Sequence, residues 1–298
     1  MNTNEELALG TQKCTSLPTE APSVSPIFIL GIFPRSGTNY LHDLLRMHPA
    51  CESGSSVLEE DNFIFNAHSL LNFIEGVSRM WKQKWGAEQL NKEKEALCSK
   101  LGEGLISFLS YQLESRKHLA ENGGPWKAKR LVVTKTPSVN NLTLFFRLFP
   151  ASSLLILVRD GRSVVESSVK TFDHPYDYVT RQWALAARSI QKLHQPTKRY
   201  LIVRYEDLYG NVDLELRRIF EFLHLDPDAY DYRSAVDLPV RGSSILRGVS
   251  SSQKSSAWVA QGIHWEPTQK PQNFNPIDRW RDWGRARHER FNWLAGKY

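Results

Sequence analysis

Short apolar runs alternate along the chain with stretches of helical spacing. Ile27-Phe28-Ile29-Leu30-Gly31-Ile32-Phe33 is brief, β-branched and aromatic, as a buried strand is. Pro34 to Thr38 form a tight turn, after which Tyr40, Leu41, Leu44, Leu45 and Met47 fall at helical spacing. Residues 60–120 read as helical, with Phe63, Phe65, Leu70, Leu71, Ile74, Met80, Trp81 and Trp85 as landmarks, until Asn122-Gly123-Gly124-Pro125 breaks the pattern. Strands are then predicted at Leu131-Val132-Val133-Thr134, at Leu154-Leu155-Ile156-Leu157-Val158 and at Tyr200-Leu201-Ile202-Val203-Arg204. Helices are predicted over about 139–148, from about 162, over 176–193 and over about 213–223.

This alternation predicts an α/β fold of three layers, a mainly parallel sheet flanked by helices on both faces. Ligands of such sheets bind beyond the carboxyl ends of the strands. Three strands end there in polar segments: Pro34-Arg35-Ser36-Gly37-Thr38, Lys135-Thr136-Pro137 and Arg159-Asp160-Gly161-Arg162. Residues 1–25, rich in Ser, Thr, Pro and Asn, read as a disordered leader. One domain is expected over 26–298, with a helical insertion at about 60–125 and an irregular lid or binding loop at about 239–276.

The 298 residues carry 38 Lys+Arg and 32 Asp+Glu, a formal net charge of +6. With 41% hydrophobic and 23% charged residues, the composition excludes a disordered or fibrous chain. No apolar run approaches the roughly 18–20 residues of a membrane span, and no secretory signal is visible, so no membrane partner is expected. Cys14, Cys51 and Cys98 have neither metal-ligand spacing nor the even count of a disulfide framework, which suits a reducing, cytoplasmic location. Residues 278–298 hold six basic and three acidic side chains, which suits a phosphate-bearing partner or a solvated helix face. No concentrated basic stripe lies elsewhere, so nucleic acid is not an expected partner.

Pro34-Arg35-Ser36-Gly37-Thr38-Asn39 lies between a strand and a helix, where outward-facing N–H groups attract anions. Gly37 admits an anion close to the backbone, Ser36, Thr38 and Asn39 add donors, and Arg35 adds charge. An ordinary turn with an N-cap is the other reading. The segment is not the ATP/GTP loop G-x-x-x-x-G-K-[ST], because five residues separate Gly31 from Gly37 and Thr38 stands in place of the lysine. The second signal is Arg159 at a strand tip, with Ser167 eight positions on, about two helical turns away. Together they can hold one phosphate. An Arg–Asp pair and a helix cap are the alternative.

In combination these motifs resemble those of the PAPS-dependent sulfotransferases, over roughly 26–225 and again near 239–283. Pro34-Arg35-Ser36-Gly37-Thr38 is similar to that family's loop around the 5′-phosphosulfate, and Arg159 with Ser167 to its 3′-phosphate site. Ile202-Val203-Arg204-Tyr205-Glu206-Asp207-Leu208 looks like the strand after that site, which brings in Tyr205. Arg241-Gly242-Ser243-Ser244 looks like a segment that closes over the nucleotide, and Asp278-Arg279-Trp280-Arg281-Asp282-Trp283 resembles the C-terminal signature. Pro-Arg-Ser-Gly is nearer the bacterial, tyrosylprotein and carbohydrate branches than the cytosolic small-phenol branch.

The resemblance implies the P-loop-like sulfotransferase architecture, PAPS as co-substrate, adenosine 3′,5′-bisphosphate as product and no metal. The implied reaction is in-line sulfuryl transfer to a hydroxyl, or secondarily an amine, of a small-molecule, carbohydrate or peptide acceptor. A kinase-like nucleotide enzyme and a non-catalytic nucleotide-binding relative are the alternatives. Three departures stand out. Asn39 replaces a usual Thr or Ser, Lys135-Thr136-Pro137 lacks the small-phenol branch's histidine base, and Ser55-Ser56 follows His48-Pro49 where the tyrosylprotein branch has an acid.

Sulfuryl transfer needs alignment, charge stabilisation and a proton acceptor. Arg35 and Lys135 are expected on the leaving group. Glu60 is the expected base, with Phe63 and Phe65 raising its pKa by apolar contact, and its Glu-x-x-Phe order looks like the base segment of the heparan-sulfate branch. Glu59, His174 and His264 are the alternatives, and a plain N-terminal helix acid is the non-catalytic reading of Glu60.

Overall fold

The computed structural model describes residues 25–53, 60–81, 85–119, 131–193, 199–243, 267–272 and 274–296, with 112–119 described by backbone alone. The strands are β1 (Ile27–Gly31), β2 (Cys51–Ser53), β3 (Leu131–Thr136), β4 (Ser153–Val158) and β5 (Tyr200–Arg204). They pair in parallel in the order β2-β3-β1-β4-β5. The helices are α1 (Thr38–Arg46), α2 (Ala67–Ser78), α3 (Ala87–Leu119), α4 (Leu142–Leu148), α5 (Gly161–Phe172), α6 (Tyr176–Gln191), α7 (Tyr205–Gly210), α8 (Val212–Leu223), α9 (Tyr232–Val236) and α10 (Arg285–Ala295).

Successive strand residues point to opposite faces, and here both faces are apolar. Phe28, Leu30, Val132, Leu154 and Ile156 join one core, shared with Cys98, Phe145, Val164, Trp183 and Phe291 of α3, α4, α5, α6 and α10. Ile27, Ile29, Val133, Leu155 and Leu157 join the other, shared with Leu41, Leu44, Leu45, Leu216, Ile219 and Phe220 of α1 and α8. The expected three-layer parallel α/β architecture is therefore present.

Some boundaries differ from the sequence reading. The edge strand β2 was not predicted, because Cys51-Glu52-Ser53 offers no apolar run, yet it pairs with Leu131, Val132 and Val133. Glu60 does not start a helix. It makes an isolated parallel bridge to Lys135, and Asp61 N–H donates to the Lys135 carbonyl at 3.2 Å. Asn62 then turns left-handed at φ 53°, and α2 begins only at Ala67. The predicted leader lies outside the described residues, except Ser25. Of the predicted lid, residues 244–266 and 273 lie outside them as well, while Val240 and Thr268 pair through bonds of 2.8 and 3.0 Å. The basic C-terminal tail is a docked helix. Arg287 pairs with Glu166 and Arg290 with Asp177, so these two charges of the helix are taken up by α5 and α6, while Arg279 before it reaches the sheet edge.

Gly102 of α3 is where that helix meets α4 most closely: a Cβ there would lie 1.7 Å from the Leu148 carbonyl oxygen. Alanine normally stabilises a helix interior by about 1 kcal/mol over glycine. Gly102→Ala is expected to reverse that sign and destabilise by roughly 1–3 kcal/mol through overpacking. Gly104→Ala, with nothing within 4 Å, is expected to stabilise. Thermal unfolding of the two variants against wild type checks both.

Candidate active site

The β1–α1 loop is shaped by contacts only glycine allows. A Cβ on Gly31 would lie 2.4 Å from Ser36 Oγ, and one on Gly37 would lie 2.4 Å from the Tyr205 ring. Gly37 also sits at φ 96°, and Arg35 at φ 79°, a left-handed position that costs a side-chain-bearing residue energy. Gly37 is the N-cap of α1, whose first turn has no side-chain cap. Ser36 is fully buried, and its Oγ has no hydrogen-bond partner.

A cleft of about 360 Å³ opens over this loop at the carboxyl edge of the sheet. Arg35, Gly37, Thr38, Asn39, Glu60, Arg159, Ser167, Tyr205, Arg241, Gly242, Ser243 and Arg279 line it. It lies where β1 is flanked by β4, the point at which the chain changes direction across the sheet. Nearly all the residues predicted to bind nucleotide thus meet in one place. Ser36 lies beneath the loop.

Three guanidinium groups crowd this cleft. Arg35 Nε donates to Ser167 Oγ at 3.1 Å and its Nη2 to the Gly242 carbonyl at 2.6 Å. Burial, then the charges of Arg159 and Arg279, push Arg35 down to about 10. Arg159 donates to the carbonyls of Arg35, at 2.7 Å, and of Pro276, and lies 4.4 Å from the Tyr205 ring centroid. Arg279 is lowered by burial and then by Arg159. Burial pushes the Tyr205 hydroxyl up to about 12. Such a cluster attracts a multiply charged anion.

Glu60 and Lys135 form the second part. Lys135 Nζ, 1% exposed, donates to Glu60 Oε1 at 3.0 Å, while Glu60 remains 40% exposed and faces the cleft. The expected apolar enclosure of Glu60 is corrected here: its carboxylate sits against an ammonium, Phe65 is half exposed, and Phe63 packs on the core. The buried carboxylate is its neighbour. Asp61 accepts from Thr134 Oγ1 at 2.6 Å, Phe63 N–H at 2.8 Å and Thr136 Oγ1 at 3.1 Å, yet burial holds its pKa above the ordinary value.

Other candidates are placed as follows. Arg241 borders the cleft, but its guanidinium is forked onto Asp43 of α1. His174 lies 3.3 Å from Ser168 Oγ and does not line the cleft. Glu59 and His264 lie outside the described residues. His48 is structural: its Nδ1 accepts from Ala50 N–H and its Nε2 donates to the Asp226 carbonyl. Among the described residues, no group of three or more His, Cys, Asp or Glu could hold a metal.

Sequence reasoning missed an aromatic recess beside the cleft, where Tyr40, Tyr205, Tyr209 and Phe274 gather. The Tyr205 and Tyr209 rings stack at 6.2 Å, and Tyr209 OH donates to the Phe274 carbonyl at 3.0 Å. The Tyr205-x-x-x-Tyr209 spacing was the available signal.

The site is a strand–loop–helix without the ATP/GTP-loop lysine, faced by Arg159 from the end of β4 and by Arg279 from the segment before α10. The sequence profile of the sulfotransferase family matches residues 26–229, and the chain belongs to that family. Protein-tyrosine sulfotransferase 1 of Danio rerio is 24% identical over 266 residues, covering 86% of this chain and 68% of that protein. Protein-tyrosine sulfotransferase 2 of Gallus gallus is 26% identical over 208 residues, 66% of this chain and 51% of that protein. In fold, the chain is similar to the sulfotransferase domain of the Synechococcus PCC 7002 olefin synthase, with a TM-score of 0.52, 23% identity and coverage of 93% and 97%.

Gly37→Ala tests the cradle. It combines a disfavoured φ with a clash on Tyr205. Because the clash falls on the cleft, it is expected to weaken binding of adenosine 3′,5′-bisphosphate at least tenfold by calorimetry, while circular dichroism stays native.

Proposed function

We propose that this PAPS-dependent sulfotransferase carries the sulfuryl group of PAPS to an acceptor hydroxyl and releases adenosine 3′,5′-bisphosphate. The observation that carries this reading is the meeting, around one cleft, of three crowded arginines and Glu60, which the buried Lys135 backs from behind. The buried, unpartnered Ser36 Oγ and the left-handed Gly37 at the start of α1 fit a loop that turns backbone N–H groups towards a phosphate. In this reading Ser36, Gly37, Thr38 and Asn39 hold the 5′-phosphosulfate end, Arg159 and Ser167 the 3′-phosphate, and Arg35 spans the two. Gly242, Ser243 and Tyr205 border the nucleotide, and Tyr40 and Phe274 offer aromatic contact to its base.

Glu60 takes the acceptor's proton. Lys135 holds that carboxylate in place until then. Protonation cancels the carboxylate charge, so the Lys135 ammonium loses its counter-charge as negative charge grows on the leaving phosphate oxygen. Arg35 opposes the same charge. The names of the relatives support a peptide tyrosine as the acceptor within the hydroxyl class.

A cytoplasmic, reducing location stays part of the proposal. Cys51 and Cys98 are buried free thiols in the cores on opposite faces of the sheet, and burial pushes Cys51 up to about 12.

Two measurements test the reading. A charge-assisted hydrogen bond contributes about 1.5–3 kcal/mol, so Arg159→Ala is expected to weaken the bisphosphate about ten- to hundredfold. AMP, lacking the 3′-phosphate, should bind wild type correspondingly worse, and equal affinity for the two nucleotides would refute the assignment. Glu60→Gln is expected to lower kcat by about 10²–10⁴ with bisphosphate affinity retained. Near-normal kcat in that variant would move the base elsewhere.

A further inference from the structure

Asp43 lies on α1, one turn past the phosphate loop, and is not among the residues that motif reasoning selects. Its Oδ2 accepts from Arg241 Nε at 2.7 Å and its Oδ1 from Arg241 Nη2 at 2.8 Å, the two-pronged geometry that suits a guanidinium. Both side chains are largely withdrawn from water, at 9% and 15% exposure. The residue after Arg241 is Gly242, at φ 67°, and its carbonyl receives Arg35 Nη2. The residue before it, Val240, is paired on both sides with Thr268. One short strap, residues 240–243, is therefore tied to α1 at one position and holds a cleft arginine at the next.

Other groups around Asp43 favour its charged form. Burial alone would raise the carboxyl, but hydrogen bonds from His42 and Arg241 and the Arg241 charge outweigh it, and the carboxyl stays below its ordinary value. His42 is itself buried and pushed down, first by burial and further by the charges of Lys135 and Arg241, while Asp43 opposes the fall. Arg46 reaches Asp43 at 3.9 Å from the exposed side.

We infer that Asp43 is a positioning residue of the nucleotide site, which holds Arg241 and so fixes the strap whose Gly242 carbonyl aims Arg35. This inference rests on the nucleotide reading above. It gives Arg241 a different role from that implied by family resemblance: it serves the nucleotide through Asp43 and the strap, not as a direct ligand.

The test uses the full chain, calorimetry with adenosine 3′,5′-bisphosphate, and steady-state kinetics with PAPS. Asp43→Asn is expected to weaken the bisphosphate about ten- to hundredfold, as loss of charge-assisted bonds does. It should raise the KM for PAPS, lower kcat as far as Arg35 loses its aim on the leaving group, and leave the acceptor KM near wild type. A merely structural role would not split the two KM values. Arg241→Met should reproduce the loss, and the double variant should bind no worse than the weaker single. The double variant also removes both buried charges together, so it folds even if Asp43→Asn alone leaves Arg241 unpaired and does not. Wild-type affinity in Asp43→Asn beside a loss in Arg241→Met would overturn the inference and make Arg241 a ligand. So would additive losses in the double variant. A wild-type chain that binds no bisphosphate would overturn the nucleotide reading itself, which is a separate failure.

Discussion

The crowding of Arg35, Arg159 and Arg279 is the constraint around which the sheet edge is built. Burial first, and the charges of Arg159 and Arg279 after it, lower Arg35 to about 10. Arg35 and Arg159 are met by neutral acceptors: the Ser167 hydroxyl, the carbonyls of Arg35, Pro276 and Gly242, and the Tyr205 ring. Neutral partners steer the guanidinium groups without cancelling their charge. Other arginines are treated differently. Arg241, Arg162, Arg287 and Arg290 lie on Asp43, Asp160, Glu166 and Asp177. Charge left uncancelled in the cleft can be offered to an anion, and charge paired with a carboxylate holds the scaffold.

Repulsion of that kind is tolerable only if the surroundings do not yield. Arg35 is held left-handed between Phe33 and Ser36, and Gly37 packs under Tyr205, which in turn carries Arg159 on its ring. The loop, α7 and the tip of β4 are thus locked to one another through a single aromatic ring. The strands behind them are buried on both faces, so the platform is stiff where the charges need it.

The same burial decided what could be read from the sequence. β1 and β4 were legible because strands covered on both sides are almost wholly apolar, and β3 and β5 because each still carries a short apolar run, Leu131-Val132-Val133 and Leu201-Ile202-Val203. β2 was not, since an edge strand of Cys51-Glu52-Ser53 takes its order from its neighbour. Motifs contained in one loop or one helix turn, such as residues 34–39 and the Arg159–Ser167 spacing, were legible as local patterns and do line or underlie the cleft. Partnerships were not. Arg35 meets Ser167 across 132 positions, Lys135 meets Glu60 across 75, and Arg241 meets Asp43 across 198. Those pairs come from the pairing of β1 with β4, from the bridge of Glu60 to β3 and from the return of the strap to α1.

Glu60 and Asp61 show how an extended backbone gives two adjacent acids opposite surroundings. The chain at Glu60 is extended and bridged to Lys135, so successive side chains leave on opposite sides. One carboxylate faces the cleft and meets an ammonium, and the next turns inward to Thr134 and Thr136. Asp61 receives three hydrogen bonds, and burial still outweighs them. Adjacent acids given contrasting surroundings take different roles. The inner one, bonded to two hydroxyls of β3, fixes where the outer one stands, so the precision of Glu60 derives from the immobility of Asp61. A sequence shows two acids side by side; the alternation of an extended backbone assigns one to the cleft and the other to the core.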